Sequence, residues 1–322
     1  MALSLLAVLA VAGAPAAAEG FKDGQWWGSV DGYWAQPLDL NLEPGVQFNT
    51  RITDGGQVLS VPFDHEFSAR IRAGWRDGNG DNTYSVSVWD WNHDSSLDLQ
   101  RLIIPTLSDP FFGNVLSARV ESDAKIQSRI VDFMVSRKLT STKKGSWFYG
   151  VGLRQASFRQ NWDNKYFDID PNTFLLFVEE QANISVHTTG VGVTMGLGSS
   201  YQWSHRWRTS ARAQIALLQG STDSDYTDRF ITLDPNSAGG FFLQVAELRR
   251  NNDRRLQQQL EIEARVSYNV WKTLDINLGY NFLQWSDVTE FDRIVDDVQS
   301  TPSFRRGNIA YHGVTLGASY WF

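Results

Sequence analysis

Asp90-Trp91-Asn92-His93-Asp94 sets two carboxylates and an imidazole within five residues. General-base chemistry uses such a set, because a carboxylate or imidazole within hydrogen-bond reach of a water can take its proton while a neighbouring acid orients the base. Asp223, Asp225 and Asp228, in a later polar stretch, are the acids that could complete the arrangement. No histidine accompanies them, so the favoured reading of Asp90, His93 and Asp94 is the solvated start of a loop, with no catalytic residue assigned.

Charge recurring at alternate positions forms the second set: Arg70, Arg72, Asp132, Arg154, Arg208, Arg212, Glu261, Glu263, Arg265 and Asp275. Rings of charge facing a water-filled lumen tune which solutes pass. In a narrow barrel the same side chains can instead cross-link the interior and leave no water path. His65, His187, His205 and His312 stand singly and at no metal-ligand spacing, so no metal is expected. Glu179, Glu180, Asp223, Asp225, Asp228 and Asp287 could hold divalent cations, but keeping the loops solvated is the favoured role. No nucleophile elbow, zinc-protease or phosphate-loop motif is present, and Gly190-Val191-Gly192 has no helix after it, so no cofactor is expected.

The elements that would position these charges follow from a period-2 alternation repeated in about ten segments. In Thr189 to Trp203, Val191, Val193, Met195 and Leu197 share one face with Tyr201 and Trp203, while the other face holds glycines and small polar residues. Leu260, Ile262, Ala264 and Val266 likewise oppose Glu261, Glu263 and Arg265. Weaker segments are Trp26 to Gln36, Tyr84 to Asp90 and Ser128 to Lys138.

Short links at Asp77 to Asp81, Thr140 to Gly145, Ser204-His205 and Trp271 to Thr273 alternate with long ones of roughly 20 to 35 residues. The long links are Pro37 to Asp64, His93 to Ile126, Asn161 to Val186, Gly220 to Arg254 and Ser286 to Asn308, and the first has room for an extra hairpin at Gly45 to Arg51. Long loops all on one side, with Trp75, Trp147, Trp203, Trp207, Trp271 and Trp321 at the short-turn ends, fit a transmembrane β-barrel with an aromatic girdle. A soluble β-sandwich gives no reason for either pattern. Charge on the lipid face near the midplane costs about 2–4 kcal/mol for Arg or Lys, so the ten charged residues are expected to face the lumen.

The fold expected is therefore an all-β, antiparallel up-and-down outer-membrane barrel of about ten strands, within a range of 8 to 12, filling residues 19–322 as one domain. Met1 to Ala18 reads as a secretory signal peptide, with an apolar run and a small-residue cleavage site before Glu19. No later run is long and apolar enough for a spanning helix. The chain has no cysteine, which excludes a disulfide framework, and its net charge of −7 argues against nucleic acid. It ends in a strand, Ile309 to Phe322, whose Tyr320 and terminal Phe322 resemble the signal read by the barrel-assembly machinery.

Four stretches resemble the Legionella-type pore-forming outer-membrane protein family: FSARIRAGWRDGNGDNTYSVSVWD at Phe67 to Asp90, WFYGVGLRQASF at Trp147 to Phe158, the run from Gly190 to Gly220, and Glu263 to Val288. The resemblance implies a closed barrel with a porin-like, diffusive role, and it brings no catalytic residues. Proteases of the omptin family also have ten strands, but their two-part Asp-Asp and Asp-His arrangement is not reproduced here.

The expected function is a porin-like channel for passive diffusion of small hydrophilic solutes in the Gram-negative outer membrane. The alternative is a structural or surface-interaction barrel with an occluded lumen. The expected partners are outer-membrane lipid and lipopolysaccharide, the assembly machinery and small solutes.

Overall fold

The period-2 segments form strands that close on themselves. A computed structural model describes residues 24–38, 42, 45–47, 57–105, 117–169, 176–233, 241–288 and 307–322. The signal-peptide segment Met1 to Ala18, with Glu19, lies outside the described residues. The strands are β1 (Gln25–Leu38), β2 (Gly45–Gln47), β3 (Gln57–Leu59), β4 (Glu66–Arg76), β5 (Asn82–Leu99), β6 (Ile103–Pro105), β7 (Arg119–Ser141), β8 (Gly145–Ile169), β9 (Leu176–Gln202), β10 (Trp207–Leu233), β11 (Phe241–Trp271), β12 (Leu274–Val288) and β13 (Gly307–Trp321).

Ten of them make a closed antiparallel barrel in the order β1-β13-β12-β11-β10-β9-β8-β7-β5-β4. The last strand closes it against the first, with Trp27 opposite Trp321 and Leu38 opposite Ala310. Closure pairs the backbone groups that an open sheet would leave bare in hydrocarbon.

The short links are tight turns, as the sequence suggested. In the first, the Asp77 carboxylate accepts the backbone N–H groups of Asp81 (2.8 Å) and Asn82 (3.1 Å) and the Asn82 side-chain amide (2.7 Å). Gly80, at φ 69°, takes the left-handed conformation that the reversal requires. The extra hairpin in the first long link exists as β2–β3. It does not join the barrel, but pairs with β6 in a separate three-stranded sheet.

The links from His93 to Ile126, Asn161 to Val186 and Gly220 to Arg254 were misjudged, because most of their length is strand, while most of Ser286 to Asn308 lies outside the described residues. β5 runs to Leu99, β8 to Ile169 and β10 to Leu233, while β9 and β11 begin at Leu176 and Phe241. The reason is an inversion of the alternation part-way up the wall. On β8 the outward residues are Trp147, Tyr149, Val151 and Leu153, then Gln155, Ser157, Arg159 and Asn161; the inward ones are Gly150, Gly152 and Arg154, then Ala156, Phe158, Gln160 and Trp162. β5 does the same, from Val86 and Val88 outside with Ser85 and Ser87 inside to Asp90 and Asn92 outside with Trp89 and Trp91 inside. β7, β10, β12 and β13 follow suit.

Below the inversion an exposed apolar belt faces outward, including Met195, Leu197, Leu278 and Leu316, each more than half exposed. Only lipid makes such a belt stable. Above it the outer face is mostly polar, and the inner face carries buried apolar clusters interspersed with buried polar side chains such as Gln160, Asn164 and Asp228.

β11 adds one residue at this upper level. A β-bulge opposite Asp223 puts Asn252 at φ 61°, and its backbone N–H donates to the Asp223 carboxylate at 2.7 Å. The outward parity therefore changes from Val245, Glu247 and Arg249 above the bulge to Arg254, Leu256 and Gln258 below it.

Candidate functional site

All ten charged residues singled out in the sequence point into the barrel, where eight of them lock together with Asp31 in one layer across it. Asp132 and Arg154 face each other in the β7–β8 register, and the Arg154 guanidinium grips the carboxylate with two bonds, Nε to Oδ1 at 2.6 Å and Nη2 to Oδ2 at 2.8 Å. From β8, Arg154 then spans the lumen to β11, donating to Glu261 (2.9 Å) and to the Gln259 amide oxygen (3.0 Å). Arg70, on β4, pairs with Glu261 and also reaches Asp132 at 3.3 Å.

One step toward the short turns, Arg72 donates to both Glu263 oxygens (3.1 Å each) and to the Tyr33 hydroxyl (3.1 Å), and lies 3.4 Å from Asp31. Arg265 bridges Asp31 (3.1 Å) and Glu263, and Arg212 on β10 ties Glu261 (3.3 Å) to Glu263 (3.6 Å). Five guanidiniums and four carboxylates thus make one network carried by β1, β4, β7, β8, β10 and β11. Arg208 and Asp275 form a separate pair (2.7 Å) nearer the short turns.

Arg70, Arg154 and Glu261 are each 1% exposed, while Arg212, nearer the short turns, keeps more exposure. Buried charge is tolerable only because each group has several opposite partners. Glycine leaves room for it: a Cβ on Gly317 would collide with the Asp31 carboxylate.

Directly above lies an aromatic layer that composition alone did not single out. Tyr33 packs on Trp89 (4.8 Å between ring centres), Trp89 on Trp91 (5.1 Å) and Trp91 on Tyr311 (3.7 Å). Phe158 meets Trp285 edge-on at 5.6 Å, with Leu218 and Leu283 buried in the same cluster. The Arg70 guanidinium sits 5.4 Å from the Trp89 ring centre and joins the two layers. The sequence did carry the signal for these rings, since they fall on the parity that holds serine and glycine lower on the same strands. Higher still, Leu42 and Val61, from the first long link, pack with Trp162, Ile184 and Tyr226; Leu59 of β3 and Ile103 of β6 pack with Val120 and Tyr166.

The Asp90–Asp94 set is dismantled by the same alternation. Asp90 points outward and pairs with Arg129 at 2.5 Å, and Asp94 points outward beside Lys125 at 3.4 Å. His93 points inward, buried, with Nε2 2.8 Å from the Ala35 carbonyl oxygen and its ring edge-on to Trp91. Asp225 is taken by Arg249 at 2.6 Å, and Asp228 is buried inside the barrel. Asp90, His93 and Asp94 therefore form no dyad with one another, and among the described residues no three His, Asp or Glu side chains are grouped as a metal would need.

Two histidines read as solitary are neighbours: His65 stacks on Trp34 and meets His312 edge-on at 6.1 Å, while His312 Nδ1 lies 2.8 Å from the Tyr280 hydroxyl. His187 lies on β9 and His205 in the exposed β9–β10 turn. Tyr320 and Phe322 lie outward against each other at 4.9 Å, and the Phe322 N–H donates to the Trp26 carbonyl (2.9 Å). The side chain of Asp287 lies outside the described residues.

In the water-exposed part, Glu179 departs from ordinary carboxylate behaviour. It is the extra residue of a bulge opposite Tyr166–Phe167 and is 8% exposed. Burial, with the nearby Asp168 charge adding to it, pushes its carboxyl up to about 7. A raised carboxyl favours the fold while protonated, so its contribution is full below pH ~4.5 and is lost as pH rises through about 7. Amide exchange at the β8–β9 tip is expected to quicken between pH 5 and 8, after correction for intrinsic exchange. Glu179→Gln should flatten that change, and an unchanged profile in the variant would refute the assignment.

Solved barrels of low sequence identity resemble this chain. The outer membrane protease OmpT from Escherichia coli shares 12% identity at a TM-score of 0.49, covering 94% of this chain and 98% of its own. The Pseudomonas putida toluene transporter TodX shares 7% at 0.28, covering 93% and 89%, and Neisserial surface protein A shares 9% at 0.26, covering 92% and 96%. A search of curated protein sequences finds no match. The family described as Legionella pneumophila major outer membrane protein precursor matches residues 57–322, which includes nine of the ten barrel strands. With its closed barrel and exposed apolar belt, this chain is an outer-membrane protein and belongs to the Legionella major outer membrane protein family.

Proposed function

We propose that the barrel is a sealed one, anchoring a rigid, polar-faced extension outside the membrane, and that it works as a structural or surface-interaction element. The observation that carries this reading is a pair of buried side-chain layers stacked inside the barrel. A hydrogen-bonded layer of buried arginines and carboxylates lies beneath a buried aromatic layer that includes Tyr33, Trp91, Trp285 and Tyr311. A diffusive channel for small hydrophilic solutes would need both layers to open, separating Arg154 from Glu261 and from its two-bonded Asp132. On this reading the inward charges cross-link the wall instead of selecting solutes.

Catalysis is not part of the proposal, because Asp90 and Asp94 stand on the opposite face of the strand from His93. Lipid at the apolar belt, lipopolysaccharide around the outer rim, and the assembly machinery at Tyr320 and Phe322 are the partners that fit.

Conductance in a planar bilayer is the direct test. Purified protein is expected to give no current steps in salt at either polarity. Regular steps of one amplitude that vanish with heat-denatured protein would overturn the sealed reading and restore the porin-like one.

A further inference from the structure

Beneath the ion-pair layer the lumen is not filled. A cavity of about 610 Å³ lies there among the short turns, roofed by Arg72, Arg212, Glu263 and Arg265, and its size suits a small-molecule ligand. The inward parity that carries Trp89 and Trp91 higher on β5 carries Ser85 and Ser87 here, so space is left where the upper barrel is packed.

Three properties of the lining define what would fit. Twelve lining residues are Ser or Thr, whose hydroxyls both donate and accept hydrogen bonds and so match a polyol. Eight are Arg or Lys against three Asp or Glu. Among the described residues, Arg76, Arg137 and Lys144 have no carboxylate within ion-pair distance, although Arg76 lies 4.8 Å from the Trp321 ring centre. Finally, Trp27, Phe148 and Trp321 offer ring surface to apolar C–H groups. Two buried donors in the lining, the Ser29 hydroxyl and the Trp27 indole N–H, have no hydrogen-bond partner among the described residues, and buried polar groups without partners are uncommon.

We propose that this vestibule, entered from the periplasm, binds an anionic saccharide of one or two rings. Its phosphate or carboxylate would pair with Arg76 and the rim cations, and its hydroxyls with the serine wall. The site lies below the ion-pair layer and so stands whether or not that layer opens.

Calorimetry on the refolded full-length protein in detergent tests it, with glucose 6-phosphate and N-acetylmuramic acid as anionic probes and maltose and inorganic phosphate as controls. At least one anionic sugar is expected to bind, about tenfold or more tighter than either control, the effect of roughly one charge-assisted hydrogen bond. Which sugar binds tells phosphate from carboxylate as the preferred anion. Arg137→Ser with Lys144→Ser, at exposed positions, should weaken that binding by about tenfold while the heat-modifiable gel shift of the folded barrel is kept; Arg76→Ser should do so independently. No binding by either sugar, maltose or phosphate binding as tightly, or variants that bind like the parent would each overturn the proposal.

Discussion

Replacing Glu261 by alanine is expected to lower the unfolding free energy of the barrel by about 3–5 kcal/mol, the usual cost of removing one partner from a buried ion pair. Glu261 accepts from Arg70, Arg154 and Arg212, and the Asn281 amide approaches it at 3.4 Å. Its loss leaves five guanidiniums facing three carboxylates, with Arg70 and Arg154 buried among them. Glu261→Gln keeps the shape and an acceptor oxygen but not the charge, and should fall between alanine and the parent. Arg129→Ala breaks an exposed pair with Asp90 at the outer surface and should cost about 0–1 kcal/mol. Urea unfolding in lipid vesicles measures all three. If Glu261→Ala loses no more than Arg129→Ala, the ion-pair layer is not a structural element.

The second large effect concerns the inversion of the alternation. Met195 and His187 lie on β9 at the same parity, so both side chains leave the barrel on its outside. Met195 sits among Val191, Val193 and Leu197 in the apolar belt, whereas His187 lies among Asn183, Ser185 and Thr189 above it. Met195→Arg is expected to destabilise the barrel by about 2–4 kcal/mol in a bilayer, and His187→Arg by roughly 0–1 kcal/mol. The comparison holds strand, parity and the introduced residue constant while the surroundings change from apolar belt to polar outer face. Equal effects at the two positions would place the membrane boundary elsewhere.

The barrel was legible in the sequence wherever lipid lies outside it, because apolar-out alternation is a strong signal when the opposite face is glycine, serine and charge. Short turns, closure by Ile309 to Phe322 and the inward direction of Arg70, Arg154 and Glu261 all follow from that one pattern. Above the belt the pattern does not stop but changes hands. Ser157, Arg159 and Asn161 beside Phe158, Gln160 and Trp162 look like an irregular polar loop to a reader following the apolar face outward.

The cross-linking of the inward charges was legible only as one of two outcomes. Arg70 and Glu261 are 191 residues apart in the chain, and their meeting depends on barrel diameter and strand stagger, not on local spacing. The Asp90–Asp94 cluster failed for the converse reason: residues adjacent in a strand face opposite ways, so closeness in sequence separated His93 from both acids. His65 and His312, distant in sequence, were joined by the barrel.

The inversion of polarity also works as a depth stop. Sliding the barrel outward would draw the Trp147 and Trp271 ends of the wall out of their interface, and sliding it inward would drive Gln155, Gln219, Gln258 and Gln284 into hydrocarbon. Both directions meet rising resistance within a single rung of the sheet, so the molecule has one preferred height. β8 continues from Gln155 to Ile169 beyond that line, which at ~3.3 Å per residue and the usual strand tilt lifts its tip roughly 35 Å above the bilayer. Whatever meets that tip therefore meets it at a fixed stand-off from the membrane, like a quay built to one tide.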